Sequence, residues 1–260
     1  MRALALGSDA IVFVSRIWQT TCTAVRADDE GFVIDSPVFP DELEALPSVL
    51  EQAAFPVSGL LATHADWDHL LGRLAFPGAS LGCAESTAAR LQSELGGAQR
   101  ALRQFDEENY VEGRTPLSLA AYQSLPAPGR LGLGPDHELE IHPAEGHTAD
   151  GAAFLLPWLG VLVCGDYLSP VEIPMISEGG SLAAYQATLG LLRELVGRAQ
   201  TVVPGHGGPI APARALELLE QDATYLEALD REGPQAPLPE GRRTAAQRAI
   251  HERNVTQTKR

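Results

Sequence analysis

Short apolar runs alternate along this chain with longer stretches of helical period, the pattern of an α/β protein. Ala10 to Arg16 and Thr20 to Arg26 read as strands, and Asp28-Asp29-Glu30-Gly31 turns the second into Phe32 to Asp35. Pro40 opens a helix to about Ala53, with Asp41 and Glu42 suited to its positive first turn. Val57 to Thr63 reads as a buried strand, after which Leu70-Leu71-Gly72 leads into a short helix. Ser86 to Tyr110 is polar and helical with a break at Gly96-Gly97, and the Pro- and Gly-rich Leu125 to Pro135 reads as a loop. Glu138 to Ile141, Val161 to Cys164 and Thr201 to Val203 are short strands. Helices run from Ser181, a suitable N-cap, to about Val196 and from Pro212 to about Asp230. Residues 1–230 then form one domain, and residues 231–260 a linker and a last helix, from about Thr244, packed on or beside it. No internal repeat is visible.

The end of one strand carries unusual chemistry. His64-Ala65-Asp66-Trp67-Asp68-His69 places two imidazoles and two carboxylates on a strand-to-helix turn. Buried together without a cation these groups would repel or strand one another, and a divalent metal or a pair of them resolves the conflict. Three further fragments repeat the local grammar of a His or Asp beside glycine after a strand: Gly146-His147-Thr148, Gly165-Asp166 and Pro204-Gly205-His206-Gly207. A lone histidine after a strand is more often a turn or core residue than a ligand. Four such sites with the same neighbours are hard to explain that way.

Together the fragments resemble the metallo-β-lactamase superfamily, over about Ala10 to Pro209. The resemblance implies an αββα four-layer sandwich, two mixed β-sheets face to face with helices outside, and a metal site at one sheet edge. Asp66 stands where the family's usual His-x-His-x-Asp-His motif has its second histidine. Carried over residue by residue, one metal takes His64, Asp66 and His147. The other takes Asp68, His69 and His206, with Asp166 bridging both. The implied cofactors are two divalent ions, zinc first. The hard oxygen of Asp66 favours iron or manganese relative to zinc, and the flavodiiron branch has a glutamate there. A helix N-cap is the competing role for Asp66, and Asp68 competes for the same role. Trp67 reads as packing against the pocket wall or core, and Asp35 as a supporting or turn residue.

The implied activity is hydrolysis of a small ester, thioester or lactone by a metal-bridging hydroxide. Asp166 and Asp68 are the catalytic carboxylates, one holding the metals and orienting the water, the other accepting its proton. Tyr167 is a candidate donor to substrate. His251 and Asn254, neighbours at i, i+3 on the last helix, are candidates for the pocket rim, with a frayed terminal helix as the alternative. Two other classes stay open: a non-haem iron redox or dioxygen-handling protein, and a non-catalytic metal-binding or partner-binding module.

Composition narrows the partners. The 260 residues are 45% hydrophobic and 20% charged, as in a globular protein large enough for a full core. A net charge of −15 argues against nucleic acid or an anionic membrane and leaves a small molecule as the expected partner. Nothing in the pattern sets an oligomeric state. Cys22, Cys83 and Cys164 form no framework, which suggests a reducing compartment, and Cys164 reads as a buried structural thiol. No apolar run is long enough to span a membrane and the apolar region of the first residues is too short for a signal peptide, so the expected location is the cytoplasm.

Overall fold

In the computed structural model, which describes residues 1–119 and 121–259, strand alternation sorts the side chains into three separate cores. Seven strands form the first sheet in sequence order: β1 (Arg2–Ala5), β2 (Ala10–Val14), β3 (Thr21–Ala27), β4 (Glu30–Asp35), β5 (Gly59–Ala62), β6 (Ser80–Ala84) and β7 (Gln123–Leu125). The second sheet holds β8 (Gly129–Leu133), β9 (His137–Pro143), β10 (Ala152–Leu156), β11 (Val161–Val163) and β12 (Thr201–Val203), ordered β12-β11-β10-β9-β8. Both sheets are mixed: β1 to β4 pair antiparallel and β4 to β7 parallel, while in the second sheet β12 runs parallel to β11 and the other pairs are antiparallel.

Successive strand residues face opposite sides. Val12, Ile34 and Leu61 of the first sheet therefore meet Ile141, Phe154, Val163 and Val203 of the second in a central core. Their neighbours Phe13, Val33 and Leu60 face outward onto α1 (Pro40–Gln52), α2 (Gly72–Ala75), α3 (Glu85–Ser93) and α4 (Gly97–Glu108). Leu155, Leu162 and Val202 face outward from the second sheet onto α5 (Leu182–Val196), α6 (Pro212–Glu232) and α7 (Ala245–Thr258). The result is an αββα sandwich. No helix among the described residues is long and apolar enough to cross a membrane.

The expected elements appear within a few residues of their predicted bounds, including the helix break, where Gly96 adopts φ 73°. One expectation is corrected. Leu125 to Pro135 is not a loop throughout, because Gly129–Leu133 forms β8 and pairs along its length with β9. As an edge strand β8 has one pairing side and a partly exposed surface, so it tolerates its two glycines, while the prolines that read as a loop lie outside it. β1, β6, β7 and β10 have no counterpart in the sequence pattern. In β10 every residue of Ala152–Leu156 is buried, and a strand covered on both faces shows no alternation.

The last helix is tied to the sandwich by buried side chains. Asn254, fully buried, accepts from the Ile176 amide (2.7 Å) and donates to the Pro174 carbonyl (2.6 Å) and Tyr225 Oη (3.0 Å). Gln247 accepts from the Ile173 amide, and Arg242 donates to the carbonyls of Ser169 and Glu172 while pairing with Asp222 at 2.7 Å. Asn254→Ala leaves a buried amide and carbonyl unsatisfied. A loss on the order of 2–3 kcal/mol is expected in urea unfolding, and a variant as stable as the parent would remove this clamp from the account.

Candidate metal centre

Four strand ends on one rim of the sandwich deliver the parts of the centre. β5 ends at Ala62, and Thr63 and His64 follow directly. The single turn Trp67–His69 carries Asp68 and His69 back under the same rim. His147 follows β9, Asp166 follows β11, and His206 follows β12. All seven residues expected as ligands are brought together. Ligand atoms of His64, Asp66 and His147 lie within 4.8 Å of one another, as do those of Asp68, His69 and His206. Asp166 stands between the two groups, its carboxylate 3.2 Å from Nε2 of His69, 3.3 Å from those of His147 and His206, and 3.7 Å from that of His64.

Three of the four imidazoles are hydrogen-bonded through the other nitrogen, and that of His69 lies beside a carboxylate. Nδ1 of His69 lies 3.0 Å from Asp35 Oδ2, and Nδ1 of His147 donates to the Met175 carbonyl at 2.7 Å. Nδ1 of His64 is 3.0 Å from Thr63 Oγ1, whose hydroxyl donates to Asp35, and Nδ1 of His206 is 3.2 Å from the Trp18 carbonyl. This leaves Nε2 of His64, His69 and His147 buried without a hydrogen-bond partner among the described residues, all directed at Asp166. Buried polar atoms are nearly always satisfied, so converging orphan nitrogens suit a cation. The donor set of imidazole nitrogens and carboxylate oxygens fits divalent metals.

Asp66 does not cap the turn it precedes, since its side chain accepts no cap hydrogen bond. Its Oδ2 faces His147 Nε2 at 3.4 Å, and its Oδ1 pairs with Arg90 of α3 at 2.8 Å. Burial opposes its ionisation, but His147, His64 and Arg90 outweigh that and hold the carboxyl well below its usual range. Trp67 packs on Phe105 of α4, with ring centroids 4.7 Å apart, and Trp18 closes edge-on over both.

A family model of the metallo-beta-lactamase superfamily matches residues 16–206. The chain belongs to that superfamily. Among solved structures, it resembles a metallo-beta-lactamase family protein from Thermus thermophilus at 22% identity and TM-score 0.69, covering 97% of this chain and 95% of that one. It also resembles a metallo-beta-lactamase from Pontibacter korlensis at 20% identity and TM-score 0.59, covering 84% of this chain and 98% of that one. No curated protein matches the chain in sequence.

Three residues expected at the pocket of this metallo-beta-lactamase fold lie elsewhere. Tyr167 is buried, its hydroxyl accepting from the His147 amide and donating to the Ala144 carbonyl, so it supports the His147 backbone from within the core. His251 contacts Tyr225 Oη and the Pro234 carbonyl, and Asn254 points into the core. The expected helix does border a cleft, but with another face. This cleft of about 620 Å³ runs from Asp66 past Met175 and Ile176 to Ala249, Arg253 and Thr256 of α7. Arg90 and Asp150 escape the sequence reading, and only the nearness of Asp150 to the Gly-His-Thr fragment offers a signal.

Two outcomes are expected. A Cβ on Gly205 would fall 2.2 Å from Asp166 Oδ1, so Gly205→Ala should displace that carboxylate and lower bound metal per chain in elemental analysis. In the metal-free protein, burial opposes protonation of His147 and His206, but Asp66 and Asp166 push His147 up to about 9, and Asp166 and Glu172 push His206 up to about 10. Raised values mean that the protonated rings stabilise the fold fully below the unfolded value near 6.5, and that this contribution fades as pH rises through about 9 to 10. The urea midpoint of metal-free protein should fall across that window, and saturating divalent metal should flatten the slope.

Proposed function

We propose that the protein is a binuclear metal-dependent hydrolase acting in the cytoplasm on a small ester, thioester or lactone. The observation that carries this reading is the set of three buried, partnerless Nε2 atoms aimed at one carboxylate, with the rings of His64 and His147 hydrogen-bonded from behind and that of His69 set beside Asp35. Two divalent cations held by His64, Asp66 and His147 and by Asp68, His69 and His206, with Asp166 between, would supply Lewis acidity and bring the pKa of a water from ~15.7 towards ~7.

The chain's own residues do the rest. Asp166 is within reach of all four imidazoles and is the group able to hold both halves together. Asp68, whose Oδ2 lies 3.6 Å from His69 Nε2 and 3.8 Å from His206 Nε2, is placed to orient a nucleophile and take its proton. Its turn is pinned by Ser36, whose hydroxyl donates to the Asp68 carbonyl and accepts from the Leu71 amide. The cleft along α7 has the size of a small-molecule site, and the net charge of −15 disfavours polyanions. Three buried free thiols support a reducing compartment.

Zinc is the first choice of metal. A second reading, a non-haem iron redox protein, is favoured by one observation, the carboxylate of Asp66 turned toward His147 and His64. Elemental analysis of protein prepared without added metal, read with its visible spectrum and an ester, thioester and lactone panel, separates them. About two zinc or manganese ions per chain with hydrolysis of one panel member is the expected result. Iron with a visible band and oxygen consumption would replace it with the redox reading. No metal under conditions that preserve it would leave a non-catalytic module. His147→Ala and His206→Ala should each lose bound metal with little change in far-ultraviolet circular dichroism, and full retention in both would sink the site.

A further inference from the structure

Asp66 is an expected ligand whose carboxylate is divided between two tasks. Oδ2 lies 3.4 Å from His147 Nε2 and 3.8 Å from His64 Nε2, inside the first ligand group. Oδ1 lies 2.8 Å from Nη1 of Arg90, outside it. The same Nη1 donates to Asp150 Oδ1 at 2.9 Å, and Asp150 Oδ2 accepts from the Ala65 amide at 2.8 Å. Asp150, whose side chain is wholly buried, thus holds the backbone beside Asp66 while Arg90 holds its side chain. Among the described residues, no other expected ligand is paired with an arginine.

The electrostatics make the arrangement conditional. Nη1 of Arg90 serves two carboxylates, the wholly buried Asp150 and the half-buried Asp66, that would otherwise lie close together without a cation between them. With an imidazole at position 66 the guanidinium would keep Asp150 and, through Nε, Glu94, but would lie beside a cation site with no carboxylate between them. An arginine there suits a carboxylate ligand and opposes a neutral one.

Resting on the metal-centre reading above, we propose that Arg90 is the positioning residue of the first metal half-site. It holds Oδ1 of Asp66 so that Oδ2 is presented as a single-oxygen ligand, and the carboxylate-guanidinium pair as a unit occupies the place of an imidazole. The consequence is that Asp66→His alone does not create a good zinc half-site in this chain. Removing the Arg90 charge in addition does.

A double-mutant cycle on the full chain tests this. First-site zinc affinity is measured by competition with a chromogenic chelator in the parent, Asp66→His, Arg90→Gln and the double variant, with circular dichroism as the folding check. Asp66→His should weaken first-site binding about tenfold or more. Adding Arg90→Gln to it should recover about tenfold, whereas Arg90→Gln in the parent should weaken first-site affinity, because Asp66 loses the group that positions it. Gln can still donate to Asp150, which favours folding, and Arg90→Met is run in the same cycle should the Gln variant not fold. A parent that binds two ions with an additive cycle overturns this inference alone. A parent that binds fewer than two overturns the metal-centre reading and this inference with it.

Discussion

Four imidazoles converge on one carboxylate at this rim, and the centre depends on their being unable to turn. A histidine side chain has two rotatable bonds and two chemically similar nitrogens, so burial alone would not decide which nitrogen faces inward. Here each Nδ1 meets a partner from a different part of the chain: Asp35 from β4, the Thr63 hydroxyl after β5, the Met175 carbonyl and the Trp18 carbonyl. Elements of both sheets must therefore be in register before the site exists. Thr63 and Asp35 join two of these supports, because Asp35 accepts from both the amide and the hydroxyl of Thr63.

The supports are themselves supported. Met175 lies on the segment held by Gln247 and Asn254 of the last helix, so α7 acts on His147 through two layers of hydrogen bonds. The Trp18 carbonyl belongs to a tight turn in which Trp18 and Gln19 take φ values of 50° and 53°. Non-glycine residues in this region cost about 1–3 kcal/mol each, and they persist only where surroundings over-determine them. The surroundings are His206 on the Trp18 carbonyl, the Gly207 amide on Gln19, and the Trp67–Phe105 aromatic pair against the Trp18 ring. Strain at the hairpin and order at His206 are two sides of one contact.

Charge is the second constraint on this rim. Asp35, Asp66, Asp68, Asp150 and Asp166 are close together and mostly buried, and carboxylates in that setting need cations or donors. Arg90 meets part of the demand at one end, and backbone amides of Thr63 and Ala65 meet another part. The remaining demand sits at Asp166, which has imidazoles around it on every side the ligand groups approach.

The strongly patterned strands were legible in the sequence, because alternation and turn chemistry are local properties. So were the seven residues of the rim, because each sits beside a glycine or near a strand end where the chain itself signals a turn. β8 and β10 were not: β8 is short and glycine-containing between prolines, and burial on both faces of β10 erases the alternation that marks a strand. Arg90 was hidden for a similar reason. On α3 it is one polar residue among many, and only the docking of that helix on the rim puts its guanidinium against Asp66 and Asp150. The same holds for α7, where adjacent residues such as Arg253 and Asn254 point into the cleft or into the core according to how the helix is rotated. Residue type and spacing determined what chemistry this chain can offer. Which nitrogen, which carboxylate oxygen and which helix face is offered depends on contacts between segments distant in sequence, and these exist only in the folded structure.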